Sequence, residues 1–478
     1  MKTLLSLAFL ASALAADVYV PFYDTSANGY AAPARGWNSF GIQANQPLQG
    51  SVGWDFNDWQ CVFDQHCSLL PPDYYCSLDS GWSNDGGDAH GRIVANDAGV
   101  FNTYGSLKNF TAHMKEKGIK VGVYLLPGAL SGDANMTIEG KEDLTLGDIF
   151  DTNVNETNLR LPFLWGQPGV QEWHDSEVRY LVDQGVEFIK LDFVTPGSDQ
   201  PGLPADTSMS AFHYHTAIQN IAPDGKIRLD LSWHLSRESP YFERWQANAD
   251  SIRLDDDINN SNSTSLTSWK TVQRAIEAYR VFINQQTLNA TRHGVGIRVR
   301  PDMDNLYVGN AQQMSGVSDV ERYSMAIHWI GAGANLITGS DMTHLDDLGK
   351  ELLFNDEAMD VANFTSQWPM QPLLNGGAPS QLQAWIAGPN EKGTAVVVLA
   401  NYGPDLGDGG FGTNSSDVQL VSAPLDVLGI AGSSWAVRRV WGGGGSGGGD
   451  HEDIGVTSDK LESNLGPGES VLYKIQRQ

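Results

Sequence analysis

Two segments of the sequence combine apolar runs with carboxylates placed to react. The first, Val186-Glu187-Phe188-Ile189-Lys190-Leu191-Asp192-Phe193, ends on an aspartate two residues after a lysine. A continuous apolar run of this length suits a parallel strand covered on both faces. The second, Ser251-Ile252-Arg253-Leu254-Asp255-Asp256-Asp257-Ile258, sets an arginine ahead of three consecutive aspartates. Paired strand-end carboxylates beside cations suit glycoside cleavage, in which one carboxyl protonates the leaving oxygen while the other attacks the anomeric carbon or activates water. Lys190 favours an ionised Asp192, as a nucleophile must be. Within the triplet the acid is ambiguous: on a continuing strand Asp255 and Asp257 share a face and Asp256 points away. A solvated loop or a helix cap also accounts for such a run, and without the ligand spacing of a calcium loop it is a weak metal site.

The elements that must hold these residues alternate between strand and helix patterns. Strand-like runs occur near Gly36-Trp37 and over Tyr74–Asp79, Lys120–Leu125, Glu187–Phe193, Lys226–Ser232, Ser251–Asp255, Gly296–Arg300 and Asn335–Thr338. Between them, Leu107/Phe110/Met114, Trp269/Val272/Ile276/Tyr279 and Val320/Tyr323/Ile327/Ile330 recur at helical spacing, as core contacts do. Eight alternations predict a (β/α)8 TIM barrel, which places chemistry at the carboxyl ends of its strands. Past Gly376 the pattern changes to strands at Ala395–Asn401, Asp417–Leu420, Ser434–Val440 and Ser470–Ile475, separated by Gly/Asp/Ser turns. The expected organisation is a leader over 1–16, a barrel over 17–376 and a C-terminal antiparallel β-sandwich domain over 377–478. Gly442–Gly449 reads as a surface loop, since neither a helix nor a P-loop lysine follows it.

The first residues carry a lysine, a short apolar run and then small residues, the pattern of a secretory signal peptide. No later segment is apolar enough to span a bilayer. A formal charge of −27 argues against nucleic acid, whose phosphates need a basic face. Given secretion, the sequons at Asn109, Asn135, Asn155, Asn259, Asn262, Asn289, Asn363 and Asn414 are glycan acceptors, several of them occupied. Cys61, Cys67 and Cys76 allow one internal disulfide; Cys61–Cys67 is the expected pair, with Cys76 reduced on a buried strand.

The ordered segments from Gly36-Trp37-Asn38-Ser39-Phe40, through Lys190-Leu191-Asp192 and Arg253…Asp257-Ile258, to Arg300-Pro301-Asp302-Met303 and Val308-Gly309-Asn310 resemble the melibiase-type α-galactosidases, glycoside hydrolase family 27 of clan D. The resemblance covers nearly all of the chain after its leader. It implies a retaining exo-glycosidase acting on terminal α-D-galactosides through a covalent glycosyl-aspartate. Asp192 would be the nucleophile and Asp257 the acid/base. It further implies that Trp37, Asp79, Tyr124, Lys190 and Arg253 contact the sugar, with Ser232 and Trp233 on the segment that reads it.

Two departures bear on specificity. Ser80 stands where the family's motif has a second aspartate, replacing an ionised acceptor by a neutral one. Ser232 stands where galactosidases carry glutamate and N-acetylgalactosaminidases carry serine, while Leu235 keeps the galactosidase residue. The stretch from Leu125 to Trp165 is longer than the family's, and would either reshape the pocket or be an inert decoration. His213 and His215 read as ordinary helix histidines, His234 equally as a pocket residue or a structural one, and Asp302 and Asp341 as supports. The expected partner is a carbohydrate, with no cofactor, metal, nucleic acid or membrane. The same mechanism on an α-glucan, an α-N-acetylgalactosaminide or a β-L-arabinopyranoside is the alternative, ahead of a non-catalytic sugar-binding protein. Both a monomer and a symmetric dimer remain open.

Overall fold

The computed structural model describes residues 18–45, 62–197, 200–223, 225–293, 296–412, 415–442 and 451–478. The leader at 1–16, Cys61, Asn414 and the glycine run beyond Gly442 lie outside them.

Eight parallel strands form the framework: β1 (Arg35–Asn38), β2 (Tyr75–Leu78), β3 (Lys120–Leu125), β4 (Val186–Leu191), β5 (Arg228–Leu231), β6 (Ser251–Arg253), β7 (Arg300–Asp302) and β8 (Leu336–Thr338). Their order is β7-β6-β5-β4-β3-β2-β1-β8. The sheet closes on itself where Asn335 N–H donates to Pro301 O at 3.2 Å and Leu306 N–H to Ile337 O at 2.8 Å. Closure leaves no free edge and makes a (β/α)8 barrel.

The apolar stripes read from the sequence lie on helices Leu107–Glu116, Trp269–His293 and Asp319–Gly331. Leu107, Phe110, Met114, Val272, Tyr279 and Ile327 have no exposed surface. Ser106 caps the first helix by accepting from Asn109 N–H at 3.1 Å. Ser318 and Glu321 form a capping box on the third.

Two expectations need correction. Strand β7 begins at Arg300 instead of Gly296, because Ile297 pairs with Tyr23 of the N-terminal segment and so is not available to the barrel. The disulfide is Cys67–Cys76, with Cα atoms 5.5 Å apart, and not Cys61–Cys67. Cys67 ends the helix Val62–Cys67 and Cys76 lies inside β2, so the bond ties that helix to the barrel wall.

Beyond the barrel, β9 (Gln371–Pro372), β10 (Leu382–Ala387), β11 (Thr394–Asn401), β12 (Gln419–Pro424), β13 (Trp435–Gly442), β14 (Glu452–Thr457), β15 (Lys460–Leu465) and β16 (Glu469–Arg477) follow. Six make one antiparallel sheet ordered β9-β10-β11-β16-β13-β14, and β12 pairs with β15 in a second. Strand alternation assigns each face of the larger sheet its own core. Ala395, Val397 and Leu399 face the two-stranded sheet, while Val396, Val398 and Ala400 join the barrel core with Trp385 and Trp441. The strand runs Leu382–Ala387, Glu452–Thr457 and Lys460–Leu465 were not anticipated; β14 is almost wholly exposed, so it carries little apolar signal.

Candidate active site

Every site residue anticipated from the sequence lies near the carboxyl end of a barrel strand. Trp37, Tyr124 and Lys190 are penultimate in β1, β3 and β4; Asp79, Asp192 and Ser232 directly follow β2, β4 and β5; Arg253 closes β6. A groove of about 670 Å³ opens at the opposite end, beside Lys120, Glu187 and Lys226, away from these strand-end residues.

On the β2–β4 side, Lys190 Nζ donates to Asp79 Oδ2 at 2.8 Å and lies 3.9 Å from Asp192 Oδ2. The ammonium also sits 5.4 Å from the Phe40 ring centre and 5.5 Å from that of Tyr124, in cation–π range. Burial opposes the lysine's charge, yet Asp79 and Asp192 outweigh it and hold Lys190 above its ordinary range. Asp79 also accepts from Asn38 Nδ2 at 3.1 Å and from Ser80 N–H at 3.0 Å. Asp192 accepts from the N–H of Phe193 at 2.9 Å. Tyr124 is raised well above its usual range by burial, and then by Asp192 and Asp79. Trp37 is fully buried, donating from Nε1 to Ser340 O at 3.0 Å and stacking on His66, so it supports the floor from behind.

On the β6–β7 side the acidic triplet is resolved. The strand ends at Arg253, so Asp255, Asp256 and Asp257 occupy a loop and the expected alternation of faces does not apply. Each aspartate faces a different basic side chain. Asp255 pairs with Arg274 Nε at 2.6 Å, Asp256 with His234 Nδ1 at 3.6 Å, and Asp257 with Arg253 Nη1 at 3.0 Å. Arg253 meets two further carboxylates, Asp302 at 3.3 Å and Asp304 at 3.1 Å. Burial, and then the negative Asp304, push the Asp257 carboxyl up to about 7 against the pull of Arg253. His234 is raised by the neighbouring Asp256 carboxylate, 3.6 Å from its Nδ1, at the rim of the site. Ligand-type atoms of His234, Asp255 and Asp256 come within 4.8 Å of one another. Arg274 already neutralises Asp255, so this group is a poor cage for a cation.

Ser232 and Trp233 lie between the two halves in chain order. Among the described residues, Ser232 Oγ and Trp233 Nε1 are buried without a hydrogen-bond partner. Phe193 and Trp233 have φ of 52° and 80°, a region bulky residues rarely adopt, and their rings are 4.9 Å apart. His213 and His215 turn away from each other, to Gln171 at 2.7 Å and Asn28 at 2.8 Å, as ordinary helix residues.

The long 125–165 stretch is a compact substructure. Its paired strands Ala129–Leu130 and Arg160–Leu161 enclose an apolar cluster that includes Ile138, Leu146, Phe150 and Phe163. It contributes Arg160, a buried guanidinium whose ionisable neighbours are Tyr214, Glu177, Tyr124 and Asp133. Arg160, Arg274 and Asp304 were not singled out from the sequence. Only Asp304 left a usable signal there, as an aspartate two residues beyond a strand-end aspartate.

No family model matches the chain. It is 37% identical over 468 residues to alpha-galactosidase 3 of Hypocrea jecorina, covering 94% of this chain and 71% of that protein. Among solved structures it is similar to a GH27 β-L-arabinopyranosidase from Geobacillus stearothermophilus (TM-score 0.71, 19% identity, 93% of this chain and 96% of that one). It is also similar to alpha-galactosidase I of Mortierella vinacea (TM-score 0.61, 17% identity, 94% and 98% covered). The barrel with its carboxylate-bearing strand ends, taken with the first of these likenesses, settles the family: the chain belongs to the melibiase-type α-galactosidases of glycoside hydrolase family 27.

Proposed function

We propose that this protein is a secreted, retaining exo-glycosidase that removes terminal α-D-galactosyl groups. The observation that carries the reading is the arrangement of two carboxylates in unlike surroundings at one barrel mouth: Asp192 beside an ammonium, Asp257 sharing its guanidinium with other carboxylates. Asp192 attacks the anomeric carbon, the glycosidic bond breaks, and its electron pair goes to the leaving oxygen, which takes the proton of Asp257. Asp257, now a carboxylate, removes a proton from water as that water attacks the same carbon. The bond to Asp192 then breaks and returns its electron pair to the carboxylate. Lys190 and Arg253 hold the two carboxylates in place, and Tyr124, Ser232 and Trp233 meet the sugar. Export is supported by the signal-like start of the sequence, and no helix among the described residues is long and apolar enough to cross a membrane.

A second reading rests on Ser232. Its unpartnered Oγ, at a position where the family's galactosidases carry glutamate, favours a sugar with a different 2-substituent. A panel of aryl α-galactoside, α-N-acetylgalactosaminide, α-glucoside and β-L-arabinopyranoside, with Asp192→Asn as control, decides between the two. Asp192-dependent release led by the α-galactoside supports the first reading. Release led by another sugar supports the second, and binding without turnover of any would overturn both.

A further inference from the structure

Arg253 is one cation among three carboxylates. Its Nη1 lies 3.0 Å from Asp257 Oδ1 and 3.1 Å from Asp304 Oδ2, and its Nε lies 3.3 Å from Asp302 Oδ2. Asp230 of β5, beside Asp302, is held neutral by burial and then by Asp302; with the other three all ionised the group would still carry an excess of negative charge, so the least supported of the three takes a proton. Donor counts identify it. Asp304 also accepts from the N–H of Ile258 at 2.9 Å and of Asn305 at 2.6 Å, and Asp302 accepts from Asp304 N–H at 2.8 Å. Asp257 has Arg253 as its one side-chain donor among the described residues. Asp304 is 5% exposed, adopts a left-handed φ of 72°, and has its carbonyl fixed by Trp329 Nε1 at 2.8 Å. It is therefore held rigidly against both the arginine and the backbone directly after Asp257.

We propose that Asp304 is a positioning residue for Asp257: by competing for the same guanidinium nitrogen while anchoring Ile258, it keeps the Asp257 carboxyl protonated and aimed at the departing glycosidic oxygen. This rests on the acid/base reading of Asp257 given above. The other charged groups bearing on Asp257 are Asp192 and Lys190 from the β4 end, which act in opposite senses. Tyr124 of β3 and Tyr307 beyond β7 also face it, both neutral because burial raises them. Arg274, from the helix after β6, donates to the Asp257 carbonyl at 2.8 Å and is engaged by Asp255. Asp256 is matched by His234. None of these replaces Asp304 as the competitor at Nη1.

The test is the pH profile of kcat/KM for the full-length protein and its Asp304→Asn variant on two α-galactosides. One has a poor alkyl leaving group that needs a proton; the other has a dinitrophenyl group that does not. On the alkyl glycoside, the basic limb of the variant should move down by about one pH unit or more, an approximately tenfold loss of rate on that limb. The dinitrophenyl glycoside should be affected far less, and Asp304→Glu should bring the limb part of the way back. A folded Asp304→Asn protein whose limb stays in place, or whose two substrates fall equally, overturns the proposal. If Asp304→Asn does not fold, Asp304→Ser, which keeps an acceptor for Ile258, takes its place; failure of both to fold also counts against the proposal, making Asp304 a structural requirement instead. Asp257→Ala run in parallel separates the two readings: near-normal alkyl-glycoside turnover in that variant would mean that Asp257 is not the acid at all.

Discussion

The ends of β4 and β6 carry the same functional group in opposite electrostatic settings. At β4, Asp192 and Asp79 flank one ammonium, and Asp192 gains a backbone N–H as well. At β6, three carboxylates crowd one guanidinium, and burial, then Asp304, push Asp257, the one with fewest donors, up to about 7. On the roles proposed above, the number of cations and donors per carboxylate, more than any difference in residue type, is what sets the nucleophile apart from the acid.

The largest effect is expected at the β4 end: Asp192→Ala should lower kcat by roughly 10⁴-fold or more with the circular dichroism spectrum unchanged. At the β6 end, Asp257→Ala should cost about 10²- to 10⁴-fold on poor leaving groups and much less on dinitrophenyl glycosides, because only the former need the proton. Equal losses on both substrates would erase the distinction. Asp79→Asn strips a buried partner from Lys190, which is 2.8 Å away, and should lower stability by about 3 kcal/mol in urea denaturation as well as weaken turnover. Away from the chemistry, Cys67→Ser with Cys76→Ser should reduce stability by about 2.5 kcal/mol, the chain-entropy value for so short a loop, and leave kcat unchanged. The mildest perturbation is pH. With Asp257 raised to about 7, the acid keeps its proton below that value and loses it above, so kcat/KM on an alkyl glycoside should fall about tenfold per unit on the alkaline side.

Much of the barrel was legible because parallel strands buried on both faces are written as continuous apolar runs, as at Val186–Leu191. The same rule misplaced β7, where Ile297 and Val299 are apolar because they pack beside the N-terminal segment and the core. It was silent on β14, whose exposed residues carry no buried pattern. The strand-end residues were readable one at a time, but the grouping of Asp257, Asp302 and Asp304 around Arg253 joins positions far apart in sequence and appears only on folding. The pairing of Cys67 with Cys76 likewise depends on where the helix Val62–Cys67 meets β2, which spacing alone does not encode. Arg160 was hidden for a related reason, since nothing in the 125–165 stretch indicated that it folds back toward Tyr124.

The central claim is that Asp192 forms the bond to sugar while Asp257 moves the proton. It is tested most directly by trapping the intermediate with an activated fluoro-α-galactoside that is cleaved slowly once bound, then digesting the protein and locating the added mass by tandem mass spectrometry. One galactosyl-derived mass is expected on the peptide containing Asp192, lost on incubation with a fresh acceptor sugar. A label on Asp257, or turnover that yields inverted sugar with no label anywhere, would contradict it.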